Sequence, residues 1–195
     1  FLCDPDLVNA PYRKIANTAG VAVGTVGWVL NGLKAANFIR TKGKKIRRHL
    51  INYRGLLDRW VEAYPEKLRP KLAIGEFAAN DPYWWKDIDI QKYDGYWGGE
   101  IAAAKYTKYL KPKIATVYLP EDELNRFLGD ARLHKETNWL AEAQRAVQIY
   151  RPFWPRQLNE VAANKKKGLV HPLLAYADLV ASGDARNLEV ARRIY

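Results

Sequence analysis

The chain has 195 residues and a formal net charge of +11 at neutral pH, with a pI near 9.7. A hydrophobic fraction of 48% and a mean hydropathy of −0.39 describe a soluble globular protein. No apolar run approaches the roughly 20 residues that span a bilayer, and we expect no membrane partner. The single cysteine, Cys3, excludes an internal disulfide and favours a reducing, cytoplasmic setting.

The excess charge lies mostly in the first third of the chain. Residues 1–62 hold eleven Lys and Arg against four Asp and Glu, a net +7, which leaves +4 for the remaining 133 residues. A basic module of this kind collects phosphate groups by releasing counterions, so we expect nucleic acid as its partner. The chain opens with Phe1 and contains no Met, which indicates that the native start lies upstream.

The window from Tyr12 to Asn31, YRKIANTAGVAVGTVGWVLN, has the spacing of a helix-turn-helix. Ala16 supplies a small residue where two helices would cross, and Gly20 supplies the positive φ that the turn needs. The inward positions are apolar and recur at helical spacing. They are Ile15, Ala19, Val21, Val26, Val29, Leu30 and Leu33.

The second helix of this window presents a different outer face. It carries Gly24, Thr25, Trp28, Asn31 and Ala35, with Lys34 beside them. Its three interior glycines, Gly24, Gly27 and Gly32, each cost roughly 0.5–1 kcal/mol relative to alanine. Such a cost indicates close approach either to a DNA groove, where Thr25 and Asn31 reach base edges or phosphates, or to a neighbouring helix.

Two short strand-like runs around a Lys-Gly turn follow, over residues 38–48. Six of these eleven residues are basic: Arg40, Lys42, Lys44, Lys45, Arg47 and Arg48. A β-hairpin at this position is typical of the wing of a winged helix, which contacts the DNA backbone, whereas a solvated charge run is the alternative.

We therefore predict a winged helix-turn-helix DNA-binding domain over residues 1–50. Its candidate DNA-binding residues are Tyr12, Arg13, Gly24, Thr25, Trp28, Asn31, Lys34, Lys42, Lys44, Lys45 and Arg47.

The pattern changes after the basic run. An amphipathic helix over residues 54–64, ended by Pro65, is predicted to form a helical connector over residues 51–70. Residues 71–195 then alternate strand and helix patterns, which predicts a mixed α/β domain and an α+β class overall. The predicted strands are 72–77, 113–119 and 146–150, and the predicted helices are 98–109, one opened by Pro120, 171–181 and 184–195.

The sharpest catalytic candidate is the Gly98-Gly99-Glu100 sequence, because a Gly-Gly turn that enters a helix can hold a nucleotide phosphate. Two-metal chemistry also needs carboxylates together on rigid backbone. The following strand contains none, and Asp122 with Glu123 lies beyond Pro120. We predict a non-enzyme whose α/β domain could be a degenerate nucleotidyltransferase-like scaffold. The alternative function is an active nucleotidyl- or phosphotransfer enzyme that uses the Gly98-Gly99 turn.

Other site chemistry is weaker. His49, His134 and His171 stand apart, so the sequence predicts no metal and no cofactor. The aromatic groups between residues 83 and 97, and Phe153-Trp154, favour core filling over a partner-binding surface. In the last segment we expect Asp184 to cap a helix and Arg186 to pair with Glu189 or Asp178.

Four blocks carry a family resemblance: APYRKIANTAGVAVGTVGWVLNGL, LLDRWVEAYPEKLRP, WGGEIAAAKYTKYLKP and LLAYADLVASGDARNLEVARRIY. Across nearly its whole length the chain resembles AbiEi-type antitoxins, the transcriptional regulators of type IV toxin-antitoxin (abortive infection) systems. The resemblance implies a winged helix that represses the operon's own promoter. It also implies a C-terminal domain that neutralises a nucleotidyltransferase-type toxin without requiring a stable complex.

Overall fold

The computed structural model describes residues 1–42, 47–135, 146–154 and 168–195. The protein is α+β and divides into two compact units. The first unit contains Phe1–Ala63, and the second contains Tyr64–Phe153 and the described C-terminal residues. The predicted phosphate contacts Lys44 and Lys45 lie outside the described residues, as does the side chain of Lys42.

Two helices joined by a tight turn form the centre of the first unit. Helix α1 spans Tyr12–Ala19 and helix α2 spans Val23–Ala35. Gly20 ends α1 in the left-handed region (φ 65°, ψ 35°), which a residue without a Cβ adopts at no steric cost. Both helices and the turn occupy the predicted window.

A small apolar core holds these helices together. Ile15 and Ala16 of α1 pack with Val26 and Leu30 of α2. The core also takes in Val8, from a 3-10 turn over Pro5–Asn9 that the sequence did not predict, and Ile39. These residues bury the apolar stripe of each helix.

Two of the predicted inward positions are wrong. Ala19 and Val21 are exposed, and Val21 keeps 42% of its surface accessible. The reason is geometric: α1 ends at Ala19, and the left-handed Gly20 turns the backbone before Val21. Val8 and Ile39 close the core instead.

An antiparallel hairpin follows α2. Strands β1 (Ile39–Lys42) and β2 (Arg47–Leu50) pair so that Ile39 faces Leu50 and Arg40 faces His49. Because successive strand residues point to opposite faces, Ile39 and Leu50 pack against the core while Arg40, Arg47 and His49 are exposed.

Arg48 differs from the other hairpin cations because it points inward. Its Nε donates to the Val8 carbonyl oxygen at 2.6 Å and its Nη2 to the Ala10 carbonyl oxygen at 2.8 Å. The backbone N–H of Arg48 also donates to Asn9 Oδ1 at 2.8 Å. This arginine therefore holds the N-terminal segment to the hairpin, whereas Arg40 and Arg47 are exposed.

Helix α3 spans Tyr53–Ala63 and begins where Asn52 Oδ1 accepts the Gly55 N–H at 2.9 Å. The predicted end of this helix before Pro65 is confirmed to within one residue, since α3 ends at Ala63, but helical backbone follows it. The backbone continues through a π-helical turn over Tyr64–Leu68 into the short helix α4, Arg69–Leu72. The wider π turn accommodates a proline ring that would clash with the carbonyl four residues earlier in an α-helix.

The second unit is built on a five-stranded sheet in the order β4-β5-β7-β3-β6. Strands β5 and β7 are parallel, and the other pairs are antiparallel. The strands are β3 (Ala73–Ala79), β4 (Tyr96–Gly98), β5 (Ala115–Tyr118), β6 (Leu133–His134) and β7 (Ala146–Tyr150). The helices are α5 (Gly99–Thr107), α6 (Leu124–Asp130), α7 (Pro172–Ala181) and α8 (Ala185–Ile194).

The central strands of this sheet are buried. Val117 of β5 and Val147 and Ile149 of β7 are inaccessible to solvent. Trp84 packs edge-to-face on Trp97 and on Phe127, with ring centroids 5.6 and 5.9 Å apart. The predicted core-filling role of the aromatic groups therefore holds for Trp84, Trp97 and Tyr93, while Tyr83 and Phe153 are exposed.

We expect Arg48→Gln to lower the free energy of unfolding of the first unit by about 2 kcal/mol, because two hydrogen bonds from a charged donor are lost. Urea unfolding measures the change. The neighbouring Arg47→Gln removes the same charge from an exposed side chain and serves as the control. Equal losses in both variants would contradict the inward role of Arg48.

Candidate nucleic-acid interface and the Gly98-Gly99 turn

The outer face of α2 is open to solvent. Thr25, Trp28, Asn31 and Lys34 are all exposed, as the helical periodicity predicts. Trp28 keeps 79% of its surface accessible, the largest value among the exposed apolar side chains of the described residues. A large aromatic side chain left this bare is typical of a binding surface.

The glycines of α2 leave this face flat. A methyl group placed at Gly24 or Gly32 would meet no described atom within 4 Å. At Gly27 it would meet Tyr12 Cε2 at 3.4 Å. Within the described part of the chain, a neighbouring helix therefore does not account for Gly24 and Gly32.

Tyr12 lies at the meeting point of three elements of the first unit. A Cβ at Gly27 of α2 would lie 3.4 Å from its ring, and the Arg48 guanidinium of β2 lies 5.1 Å from the ring centroid. The ring is still 39% exposed, and Arg13 beside it is exposed. The structure thus gives Tyr12 a packing role and leaves Arg13 at the surface.

The hairpin adds positive charge beside α2. Arg40 and Arg47 are exposed, and neither has an ion-pair partner among the described residues. Residues 7–57 contain ten Lys and Arg and no Asp or Glu. Of these cations, Arg54 is paired with Asp58 just beyond the stretch. No carboxylate within the stretch offsets the others, so their field attracts polyanions.

The space beside the Gly98-Gly99 turn is occupied by side chains of the protein itself. Gly99 adopts φ +45°, and a Cβ there would lie 2.5 Å from Thr116 Oγ1. A Cβ at Gly98 would lie 2.8 Å from Asp178 Oδ2. Both glycines are therefore needed so that the turn fits against β5 and α7.

A carboxylate occupies the position where this turn would hold a phosphate. Asp178 Oδ2 accepts the Gly99 N–H at 3.0 Å, at the N-terminus of α5. Helix N-termini favour anions, and here the anion is the protein's own side chain. A nucleotide phosphate would have to displace Asp178.

The other oxygen of Asp178 belongs to a buried network. Asp178 Oδ1 accepts from the Tyr64 hydroxyl at 2.8 Å and from the Tyr118 hydroxyl at 2.9 Å. The two hydroxyl oxygens are 2.6 Å apart, and Arg69 Nε lies 3.8 Å from Oδ1. Burial raises the pKa of the Asp178 carboxyl, against the lowering effects of Arg69, the two hydroxyls and the Gly99 N–H.

Both carboxylate oxygens of Glu100 also accept hydrogen bonds from the protein. Its Oε1 accepts from Arg186 Nη2 and Asn187 Nδ2, both at 2.9 Å. Its Oε2 accepts the backbone N–H of Lys113 at 2.6 Å. The side chain thus joins α5 to α8 and to the loop before β5, and it is only 5% exposed.

This arrangement corrects one sequence prediction and confirms another. Arg186 pairs with Glu100 at 2.9 Å, so its predicted pairing with Glu189 or Asp178 is wrong. The buried Glu100 carboxylate attracts the guanidinium more strongly than a solvent-exposed one does. The predicted cap is confirmed, because Asp184 accepts the Arg186 N–H at 2.8 Å.

Within the described ranges, no group of three or more His, Cys, Asp or Glu side chains is placed to hold a metal ion. The same ranges contain no helix long and apolar enough to cross a membrane.

The geometry defines an α+β protein. Its first unit has a cationic surface, and in its second unit the buried carboxylates of Glu100 and Asp178 accept hydrogen bonds from the protein itself. Residues 49–195, about three quarters of the chain, match the family model described as transcriptional regulator, AbiEi antitoxin, type IV toxin-antitoxin system. The chain therefore belongs to this family, as its sequence resemblance predicted. No curated protein and no solved structure gives a match. The match begins within β2, so α1, α2 and β1 lie outside it.

The buried network predicts a loss of stability at alkaline pH. Burial and the Asp178 carboxylate raise the pKa of Tyr64 and of Tyr118 well above the ordinary 10.0. The folded protein keeps these hydroxyls protonated while the unfolded chain ionises, so stability present below pH 10 is lost as the pH rises above it. We expect the free energy of unfolding to fall by about 1.4 kcal/mol per pH unit for each tyrosine.

Urea unfolding between neutral pH and about pH 11 measures this slope. Tyr118→Phe should make the slope of the free energy of unfolding against pH shallower by the contribution of one tyrosine, about 1.4 kcal/mol per pH unit. Tyr83→Phe, which removes a hydroxyl from an exposed ring, is the matched control. The same alkaline slope in the wild type and both variants would show that the network does not hold its protons.

Proposed function

We propose that the first unit is a winged helix-turn-helix that binds double-stranded DNA at the promoter of its own operon and represses transcription in the cytoplasm. The observation that carries the proposal is the bare outer face of α2 beside the exposed Arg40 and Arg47, in a 51-residue stretch without a carboxylate. Polyanion binding is the function that this charge distribution supports.

In the proposed docking, α2 enters the major groove and the hairpin follows the DNA backbone. Thr25 and Asn31 reach base edges from the outer face, and Gly24 lets the backbone approach closely. Arg13 and Lys34 flank this face at the ends of the two helices, while Arg40, Lys42 and Arg47 would contact phosphates, with Lys44 and Lys45 at the hairpin turn.

We further propose that the second unit carries the antitoxin activity, acting against a nucleotidyltransferase-type toxin without a stable complex. The family match includes this entire unit, which supports placing the family's antitoxin role there. A non-enzymatic role is supported by Glu100 and Asp178, whose carboxylate oxygens already accept hydrogen bonds from the protein. A catalytic role for the Gly98-Gly99 turn would require both to change partners.

DNA binding is tested by fluorescence anisotropy with the promoter duplex of the operon. We expect Arg40→Gln combined with Arg47→Gln to weaken binding about tenfold or more and to reduce the salt slope by about 2, one for each lost phosphate contact. The control is Arg54→Gln on α3, where the arginine is paired with Asp58 at 3.0 Å. Unchanged affinity in the double variant would contradict the assigned surface.

Antitoxin activity is tested by co-expressing the full chain with the product of the neighbouring gene. We expect the Arg40→Gln, Arg47→Gln variant to restore growth as well as the wild type does, because its substitutions lie outside the second unit. Asp178→Ala should lose protection, because Arg69 and the Gly99 N–H lose their buried partner and the unit is destabilised by about 3 kcal/mol. Full protection by a chain whose second unit is unfolded would contradict the assignment.

A further inference from the structure

We propose that α2 reads A·T base pairs in the major groove, with Trp28 packing on thymine methyl groups and Asn31 binding adenine. This inference rests on the proposed function and names the sequence class of its DNA. It follows from the side chains that the outer face of α2 presents and from those that it lacks.

Trp28 is the most prominent feature of that face. Glycines stand one helical turn away on both sides, Gly24 four residues before it and Gly32 four residues after it. Long side chains in a helix normally lean over the preceding turn. A methyl group at Gly24 would have no side-chain atom within 4 Å, so the indole does not contact that position. The indole is 79% exposed and is the large apolar group of this face.

The apolar surface of the Trp28 indole has one apolar counterpart in the major groove. The C5-methyl group of thymine is the apolar feature that the groove exposes, and the other base edges present donors and acceptors. Stable contact between an exposed indole and a groove of polar edges would leave those edges without partners. Packing against thymine methyl groups avoids that cost.

The polar side chains of α2 favour the same base pair. Asn31 lies on the outer face, three residues after Trp28, and the amide group of asparagine matches the N6 and N7 atoms of adenine in a bidentate pair. Guanine is read most often by arginine or lysine, and the sequence of α2 contains no arginine. Its single cation, Lys34, lies in the last turn. The helix is thus equipped for adenine and thymine.

A second copy of the chain is the other occupant that an exposed tryptophan suggests. The charges around α2 disfavour it, because residues 7–57 carry ten cations and no carboxylate. Two such surfaces would repel each other on contact, whereas a DNA backbone neutralises them. Charge complementarity therefore selects DNA.

The test begins with selection of preferred sites by the full chain from a pool of random DNA duplexes. We expect the enriched sites to share a core of A·T pairs. The best site is then synthesised with deoxyuridine in place of core thymidines, which removes only the methyl groups. Binding of the wild type should weaken about threefold to fourfold for each contacted methyl group.

Two variants assign the effect to its residues. Trp28→Ala should bind the thymidine and deoxyuridine duplexes equally, and Trp28→Phe should keep part of the difference. Asn31→Ala should weaken binding by roughly tenfold and lose the preference for adenine over 7-deazaadenine, which lacks the N7 acceptor. Both residues are exposed, so the variants are expected to fold. Arg54→Gln on α3, where the arginine is paired with Asp58 at 3.0 Å, is the control.

The possible results distinguish a failure of DNA binding from a failure of the proposed preference for A·T pairs. If the wild type binds no duplex, the proposed DNA-binding function fails. If it binds DNA but selects G·C cores, or ignores the thymine methyl groups, the function stands and this inference is wrong. A change of oligomeric state in Trp28→Ala by sedimentation, with DNA binding unchanged, would assign Trp28 to a protein interface and also overturn it.

Discussion

The Asp178 carboxylate joins segments of the second unit that lie far apart in the sequence. It accepts hydrogen bonds from Tyr64 in the π-helical turn, from Tyr118 in β5 and from the backbone of Gly99 at the start of α5. A buried charge is costly unless it is paired, and these donors offset that cost only in the folded arrangement. The network therefore selects one packing of the turn, the strand and the two helices. Glu100 does the same for α5 and α8 through Arg186 and Asn187.

The first unit is held together by a smaller apolar core and by the inward-pointing side chain of Arg48. Arg48 binds carbonyl oxygens of the N-terminal segment, and its guanidinium covers the Tyr12 ring. Arg47 beside it is exposed because the strand alternates its faces. One arginine thus contributes to folding while its neighbour remains available for a ligand. From a basic run in the sequence alone, an arginine that packs inward cannot be told from one that is exposed.

The sequence predicts local structure well because periodicity and caps are local properties. Strand β7 has its predicted bounds, and Asp184 caps α8 as expected. The π-helical turn over Tyr64–Leu68 was not predicted. A proline indicates that an α-helix ends, but it does not indicate whether a π turn and a further helix follow. The partners of Asp178 were missed because Tyr64 precedes it by 114 residues and Tyr118 by 60. The exposed residues of α2 were predicted, since helical spacing alone determines which face opposes the core.

The two units differ in how their polar and aromatic side chains are used. In the second unit, the buried carboxylates of Asp178 and Glu100 accept hydrogen bonds from the protein itself, which makes the Gly98-Gly99 turn a structural joint. In the first unit, Trp28 keeps most of its apolar surface exposed, and Arg40 lies at the surface, as charged side chains ordinarily do. A surface that exposes an indole gains free energy only when a partner covers it. Trp28 and Arg40 lie on α2 and the hairpin, a segment that contains no carboxylate, which supports the proposed anionic partner.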